Sequence, residues 1–275
     1  MKELTAREVQ LGELEVMKQL DWICKKLNLR YYLYFGTLLG AVRHQGFIPW
    51  DDDIDVALPR PDYEVLIAYL QENEDRIAPL KLMSCRNVKN YIYPIARLCD
   101  TRYYIEYQNT VQYGLGLFVD IYPLDGCGNS DEDARVIQKK NASLQTLISL
   151  AGESSFRPSF QGGLIRSTAK LLVYGYAKLM GAPYFAKKLE KNSLKLDFNS
   201  CKYYSCTVWD MADAWFKKDT IEECCTAMFE GYEFSIPCGY DKMLKAWYGD
   251  YMQLPPENQQ IAHHYYTAYL KDKYI

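Results

Sequence analysis

No stretch constrains this chain more than Trp50-Asp51-Asp52-Asp53-Ile54-Asp55-Val56-Ala57-Leu58. From Asp53 onward, charged and aliphatic residues alternate. Successive side chains of a strand point to opposite faces, so this pattern marks a half-buried strand. On that reading Asp51, Asp53 and Asp55 share one face, and Ile54, Val56 and Leu58 line the other. Alternate side chains on a strand sit roughly 7 Å apart. Carboxylates held that close raise one another's pKa unless a cation intervenes. Hard oxygen donors suit Mg²⁺ or Mn²⁺. The twelve-residue pattern of a calcium-binding loop is absent. A solvated acidic turn is the alternative, but the strongly apolar flanks speak against it.

A second feature lies upstream. Tyr31-Tyr32-Leu33-Tyr34-Phe35 reads as a buried strand, broken by Gly36-Thr37, and Thr37 to Arg43 reads as a short helix. A helix N-terminus presents unpaired backbone N–H groups and a partial positive charge. Gly36 would let a phosphate approach the backbone and Thr37 would donate a hydroxyl. Arg43 would then grip a phosphate oxygen or pair with the acidic cluster. His44 would contact phosphate or sit in a surface turn. A third carboxylate is expected from a neighbouring strand. Asp120 is the lone charge in Leu117-Phe118-Val119-Asp120-Ile121-Tyr122, and a buried Asp without a partner is costly. It would bind the metal or pair with an Arg, and Asp125 is a weaker candidate. A phosphate cradle beside a carboxylate metal pair makes a phosphoryl-transfer site.

The rest of the chain frames these segments. Residues 4–28 keep helical apolar spacing, 61–72 open on Pro61-Asp62 as a helix, and 80–86 and 92–98 read as strands. Residues 131–150 form a helix capped by Ser130 or Asp131. Residues 151–163 read as a loop, and 164–196 as helix broken at Gly181-Ala182-Pro183. Short strands follow near 203–208 and 232–236, then a helix over 239–248. The expectation is an α+β fold, with a core over 1–130 and a mostly helical region over 131–275. With 32 basic against 35 acidic residues, the net charge of −3 gives no electrostatic case for nucleic-acid binding. The start lacks an apolar signal core and no run reaches 18 apolar residues, so a cytoplasmic protein is expected. Nine cysteines without C-x-x-C spacing then read as free thiols, with a zinc site among the last five a remote alternative. Residues 164–191 combine Leu171, Leu172, Val173 and Leu179 with Lys170, Lys178, Lys187 and Lys188. Such a basic amphipathic segment lies on an anionic membrane, or packs on the core with its basic face in water, and the second reading is preferred.

The run from Tyr34 to Asp55, YFGTLLGAVRHQGFIPWDDDID, resembles the signature of the LicD family, which it shares with the fukutin-related proteins. The resemblance continues at Gly116-Leu117-Phe118-Val119-Asp120-Ile121-Tyr122-Pro123-Leu124-Asp125, at Tyr248 to Pro256, and at His264 with Ala268-Tyr269. It implies a nucleotidyltransferase-like core with a short mixed sheet flanked by helices. It implies metal-dependent transfer of phosphocholine from CDP-choline to a sugar hydroxyl of teichoic acid or lipopolysaccharide type, with CMP leaving. It makes Asp53, Asp55 and Asp120 catalytic and metal-binding, with Asp51 beside them. Gly36, Thr37, Arg43 and His264 would face the donor. A quaternary ammonium binds aromatic faces. Trp50, Tyr91, Tyr93, Tyr104, Tyr107 and Tyr122 are candidates for that role. The acceptor would be a glycan or lipid-linked glycan, with peripheral contact at the membrane. The stretch 130–245 departs from what can be matched, which leaves the acceptor open. Transfer of ribitol or glycerol phosphate, nucleotidyl transfer to a small acceptor, and a metal-stabilised binding module are the competing functions.

Overall fold

The computed structural model describes residues 1–275 except 90, 108–111, 154, 156–162, 210–213, 262–265 and 275, and the side chains of 163–166. Strand β1 (Lys2–Glu3) leads into helix α1 (Ala6–Lys26). Thr5 and Glu8 cap α1 reciprocally, satisfying two backbone donors that the first turn leaves open. Strand β2 (Tyr32–Leu33) is followed by α2 (Phe35–His44), β3 (Ile54–Pro59) and α3 (Arg60–Glu72). Then come β4 (Leu80–Met83), β5 (Ala96–Asp100), β6 (Tyr103–Tyr107) and β7 (Leu117–Gly126). The second half holds α4 (Asp131–Gly152), α5 (Gly163–Met180), α6 (Ala182–Ser193), β8 (Tyr203–Ser205), β9 (Phe216–Lys217) and α7 (Lys218–Ile221). It ends with the hairpin β10 (Cys224–Phe229) and β11 (Tyr232–Pro237), helix α8 (Tyr240–Tyr248) and strand β12 (Tyr266–Leu270).

The main sheet runs in the order β2-β3-β7-β5-β4, with β8 and β9 continuing from the far end of β7. Only β3 and β7 are parallel, so the sheet is mixed and the fold is α+β. One face carries Ile54, Val56, Leu58, Val119, Ile121 and Leu98, packed under Met17, Leu20 and Ile23 of α1 and Leu66 and Leu70 of α3. Each such fully buried aliphatic side chain is worth about 1.5–3 kcal/mol of transfer free energy. On the other face Ala57, Tyr122 and Leu124 pack with Leu144 and Ile148 of α4 and Phe185 and Leu189 of α6. The C-terminal helices cover only part of that face. A smaller sheet β1-β12-β6 ties the two ends of the chain together.

Several expectations need correcting. Strand pairing begins at Ile54, so Asp51, Asp52 and Asp53 belong to the irregular segment before β3 and not to an alternating strand. The helix after the first strand starts at Phe35, before the Gly36-Thr37 break, and the strand before it shrinks to Tyr32–Leu33. The strands expected over 80–86 and 92–98 are Leu80–Met83 and Ala96–Asp100. Cys225 and Cys238 form a disulfide, because β10 and β11 bring the two ends of the hairpin together. The remaining cysteines are free thiols. Helix α5 does not turn its leucines to the core: Leu172 and Leu179 are 75% and 84% exposed.

Candidate active site

The pairing register builds the site. Asp55 of β3 lies opposite Asp120 of β7 across the parallel pair, and Arg97 of β5 lies opposite Asp120 on its other side. Paired residues of neighbouring strands point to the same face, with strands about 4.8 Å apart. Asp55, Asp120 and Arg97 therefore form a row across the sheet. The row opens into a cavity of about 1170 Å³, whose lining includes all four expected carboxylates, Asp51, Asp53, Asp55 and Asp120.

The acidic segment is held from three directions. Tyr34 N–H donates to the Asp55 carbonyl at 2.9 Å. The Asp55 N–H donates to Thr37 Oγ1 at 2.8 Å. Gln10 of α1 donates to the Asp51 carbonyl at 2.8 Å, and the Tyr266 hydroxyl to the Asp52 carbonyl at 2.9 Å. Thr37 thus acts here as an acceptor that fixes the strand. A Cβ on Gly36 would stand 2.5 Å from Asp51 Oδ2, so glycine at this position is what lets that carboxylate reach the first turn of α2. That turn begins with Phe35 at φ 39°, a conformation costing roughly 1–3 kcal/mol for a side chain with a Cβ. Ring contacts to Tyr34, Tyr122 and Trp247, with centroids 4.2, 5.1 and 5.0 Å away, hold Phe35 there.

Asp120 is chelated by Arg97, whose Nε donates to Oδ1 at 2.5 Å and Nη2 to Oδ2 at 3.2 Å. The guanidinium sits between the rings of Tyr93 and Phe118, 4.0 and 4.2 Å from their centroids. Asp55 has no such partner. Its carboxyl is pushed well above the usual carboxylate range by burial first, then by Asp53, Asp120 and Asp51, against a hydrogen bond with Tyr122. Glu13 of α1 is fully buried nearby and is likewise pushed up by burial, then by Asp53, Asp52, Asp120 and Asp51. Among the described residues, Asp55 Oδ1 and both Glu13 carboxyl oxygens lack a hydrogen-bond partner. Buried acceptors without donors, next to further carboxylates, are the deficit that a divalent cation corrects. The donor set therefore fits Mg²⁺ or Mn²⁺ by its chemistry. Among the described residues no group of three or more His, Cys, Asp or Glu side chains is placed so that it could hold a metal ion as it stands.

The other expected residues have distinct places. Arg43 lines the cavity and donates to the Tyr251 carbonyl at 2.7 Å, fixing the segment that carries Pro255 and Pro256 into the cavity wall. His44 is half-buried near Trp50, and burial followed by Arg43 keeps its pKa low. Asp125 stays out of the cavity, bound to Arg60 at 2.6 Å and to the Thr207 hydroxyl at 2.7 Å. His264 lies outside the described residues. Of the aromatic candidates, Trp50, Tyr93, Tyr107 and Tyr122 line the cavity, whereas Tyr91 and Tyr104 do not. Trp209 and Tyr248 line it as well.

Sequence reading missed Arg97, Glu13 and Gln10. Glu13 lay open to notice, since it is an acid on the face of α1 that carries Val9, Val16 and Leu20. Arg97 had a similar sign, as a lone charge inside Ile95-Ala96-Arg97-Leu98. Trp209 had none, whereas Tyr248 opens the run to Pro256 that carries part of the family resemblance.

Residues 28–142 match the model of the LicD/FKTN/FKRP nucleotidyltransferase domain. That span contains α2, the acidic segment, Arg97 and Asp120. The chain is also similar along its length to the lipopolysaccharide cholinephosphotransferase LicD of Haemophilus influenzae, with 29% identity over 275 residues, 98% of this chain and all of that protein. Uncharacterized proteins of Rickettsia prowazekii and Rickettsia typhi are 48% identical over 48 residues, 18% of this chain. The matched span ends within α4, so α5, the β10–β11 hairpin and β12 lie beyond it.

Proposed function

We propose that this chain transfers phosphocholine from CDP-choline to a sugar hydroxyl of a cell-surface glycan precursor and releases CMP. The observation that carries this reading is the row of Asp55 and Asp120 on paired strands, with Asp51 and Asp53 in the same cavity. The similarity to a lipopolysaccharide cholinephosphotransferase favours a lipopolysaccharide-type sugar over teichoic acid as the acceptor.

Asp53 and Asp55, with Asp51, are the residues to hold a divalent ion, and Asp120 completes the set. Such an ion, when bound, offsets negative charge on a diphosphate and on the leaving phosphate. The acceptor oxygen attacks the phosphorus that bears choline, and the bond from that phosphorus to the bridging oxygen breaks. The bridging oxygen leaves with CMP. Asp53 or Asp120 takes the proton of the attacking hydroxyl. Arg97, donating to both Asp120 oxygens, fixes that carboxylate in direction. Arg43 stands at the cavity wall within the reach of donor phosphate. The aromatic wall of Trp50, Tyr93, Tyr107, Tyr122, Trp209 and Tyr248 offers ring faces to a quaternary ammonium.

The test is incubation with a panel of CDP-alcohols and Mg²⁺, with and without glycan acceptors, reading CMP. Acceptor-dependent CMP release that is fastest with CDP-choline supports the reading. A preference for CDP-ribitol or CDP-glycerol would change the donor. Pyrophosphate release from a nucleoside triphosphate would instead mark a nucleotidyltransferase.

A further inference from the structure

Helix α5 is built the wrong way round for a helix that faces water. In a soluble protein an amphipathic helix turns its apolar stripe inward. Here Leu172, Tyr176 and Leu179, spaced four and three residues apart, form one stripe that is 75%, 46% and 84% exposed. Leu171 and Val173 flank it, both exposed. The inner side is held by Ala177 and Tyr174, and the Tyr176 ring edge also meets Phe185 of α6 at 5.7 Å between centroids. Ala177 is fully buried, and Lys178 Nζ donates to the Ala151 carbonyl of α4 at 2.9 Å. The exposed stripe is therefore fixed outward by contacts on the opposite side of the same helix. A contiguous apolar face of this kind marks an interaction site.

Charge identifies the occupant. Lys187, Lys188 and Lys191 are exposed on the neighbouring helix α6, and Lys195 follows them. Lys188, Lys191 and Lys195 are exposed and recur three and four residues apart, and Lys140 of α4 first, then Lys191 and Lys188, keep the Lys195 ammonium below its usual range. These lysines run against the net negative charge of the whole chain. An exposed apolar helix followed by a lysine-bearing one matches an anionic bilayer surface, where leucines enter the acyl boundary and lysines meet head groups. No helix among the described residues is long and apolar enough to cross a membrane, so such binding would be peripheral. The helix is tied to the same apolar cluster as one cavity-wall residue. Tyr93 of the cavity wall belongs to the same apolar cluster as Leu147 and Ala151 of α4 and Tyr174 of α5.

We infer that α5 and the lysines of α6 dock this protein on an anionic membrane surface. The inference rests on exposure and charge, and the proposed acceptor only supplies a reason for such docking. The experiment is flotation of the full chain with phosphatidylglycerol–phosphatidylcholine vesicles and with pure phosphatidylcholine vesicles. Sedimentation analysis without lipid and CMP release with a water-soluble acceptor are run in parallel. The wild type is expected to float with the anionic vesicles and to sediment as a single species in their absence. Leu172→Ser with Leu179→Ser should cut partitioning at least tenfold. Lys188→Glu with Lys191→Glu should remove its salt-sensitive part. Both double variants should keep the CMP rate of the wild type. No flotation of the wild type would overturn the inference. So would equal flotation of the leucine variant, or a wild-type dimer that this variant converts to monomer. Flotation without any CMP release would overturn the proposed function and leave the membrane docking standing.

Discussion

Thr37 places the acidic segment through one buried hydrogen bond. Its hydroxyl accepts from the Asp55 N–H, and both residues are buried. Thr37→Val keeps the shape and leaves that N–H without a partner, a loss of about 1–3 kcal/mol. Thermal unfolding should show a drop of roughly 2–4 °C per kcal/mol for a chain of this size. Thr37→Ser should restore both the melting temperature and CMP release. Equal stability of Thr37→Val and wild type would remove this role. The placement of Asp55 and Asp120 was legible in sequence because each is a charge set in an apolar strand, whereas Asp53 lies just before its strand. Arg97 and Glu13 were not assigned, because what gives them meaning is a partner far away in the chain. Asp120 becomes an ion pair only when β5 docks on β7. Glu13 becomes a buried acid only when α1 packs under the acidic segment, at a point so tight that a Cβ on Gly12 would lie 2.2 Å from Leu117.

Pairing between elements sets the site more than any single strand does. The β3–β7 register brings Asp55 and Asp120 side by side, and β5 adds the counter-charge. Arg97→Met should destabilise the protein by about 3–5 kcal/mol in denaturant unfolding, because it leaves a buried carboxylate without its cation. Adding Asp120→Asn should recover part of that stability while activity stays lost. A second element device holds the turn before the acidic segment. The hairpin residue Glu230 binds Arg7 at 2.5 Å and accepts from the Phe47 N–H at 3.1 Å. The Arg7 hydrogen bond keeps the Glu230 carboxyl below its usual range. A carboxyl lowered on folding stabilises above its unfolded pKa, near 4.3, and the gain is lost as pH falls through the folded value. The melting-temperature gap between wild type and Glu230→Gln should therefore narrow progressively as pH falls below about 4.3. A gap that stays constant or widens on acidification would contradict this contact. The hairpin was only half legible. Its strands alternate, but the turn Glu230-Gly231 takes two positive φ angles, and glutamate does not announce such a turn. The disulfide that closes its open end was misread for the same reason, since cysteine counting carries no register.

At the scale of the whole molecule, the α+β class followed from strand and helix patterns in the first half. The way the second half closes around the site did not. The cavity wall draws Trp50 from the acidic segment, Tyr93 and Tyr107 from around β5 and β6, and Tyr248 with Pro255 from the region after α8. Strand β12 returns to pair with β1 and β6, placing Tyr266 against the Asp52 carbonyl. Such long-range closure carries no local periodicity. The molecule thus joins a sheet-borne row of charges to a wide aromatic cavity and carries an outward apolar helix. The central claim is that Asp53 and Asp55 act through a divalent ion on a CDP-linked donor. The measurement that tests it most directly is the rate of CMP release from CDP-choline, with glycan acceptor present, by metal-stripped protein titrated with Mg²⁺. The account predicts no release in chelator and a saturable rise with Mg²⁺ in the wild type. For Asp53→Asn at the same Mg²⁺ it predicts a rate at least roughly 100-fold lower in a folded protein. Full-rate release in chelator, or full activity of folded Asp53→Asn, would contradict it.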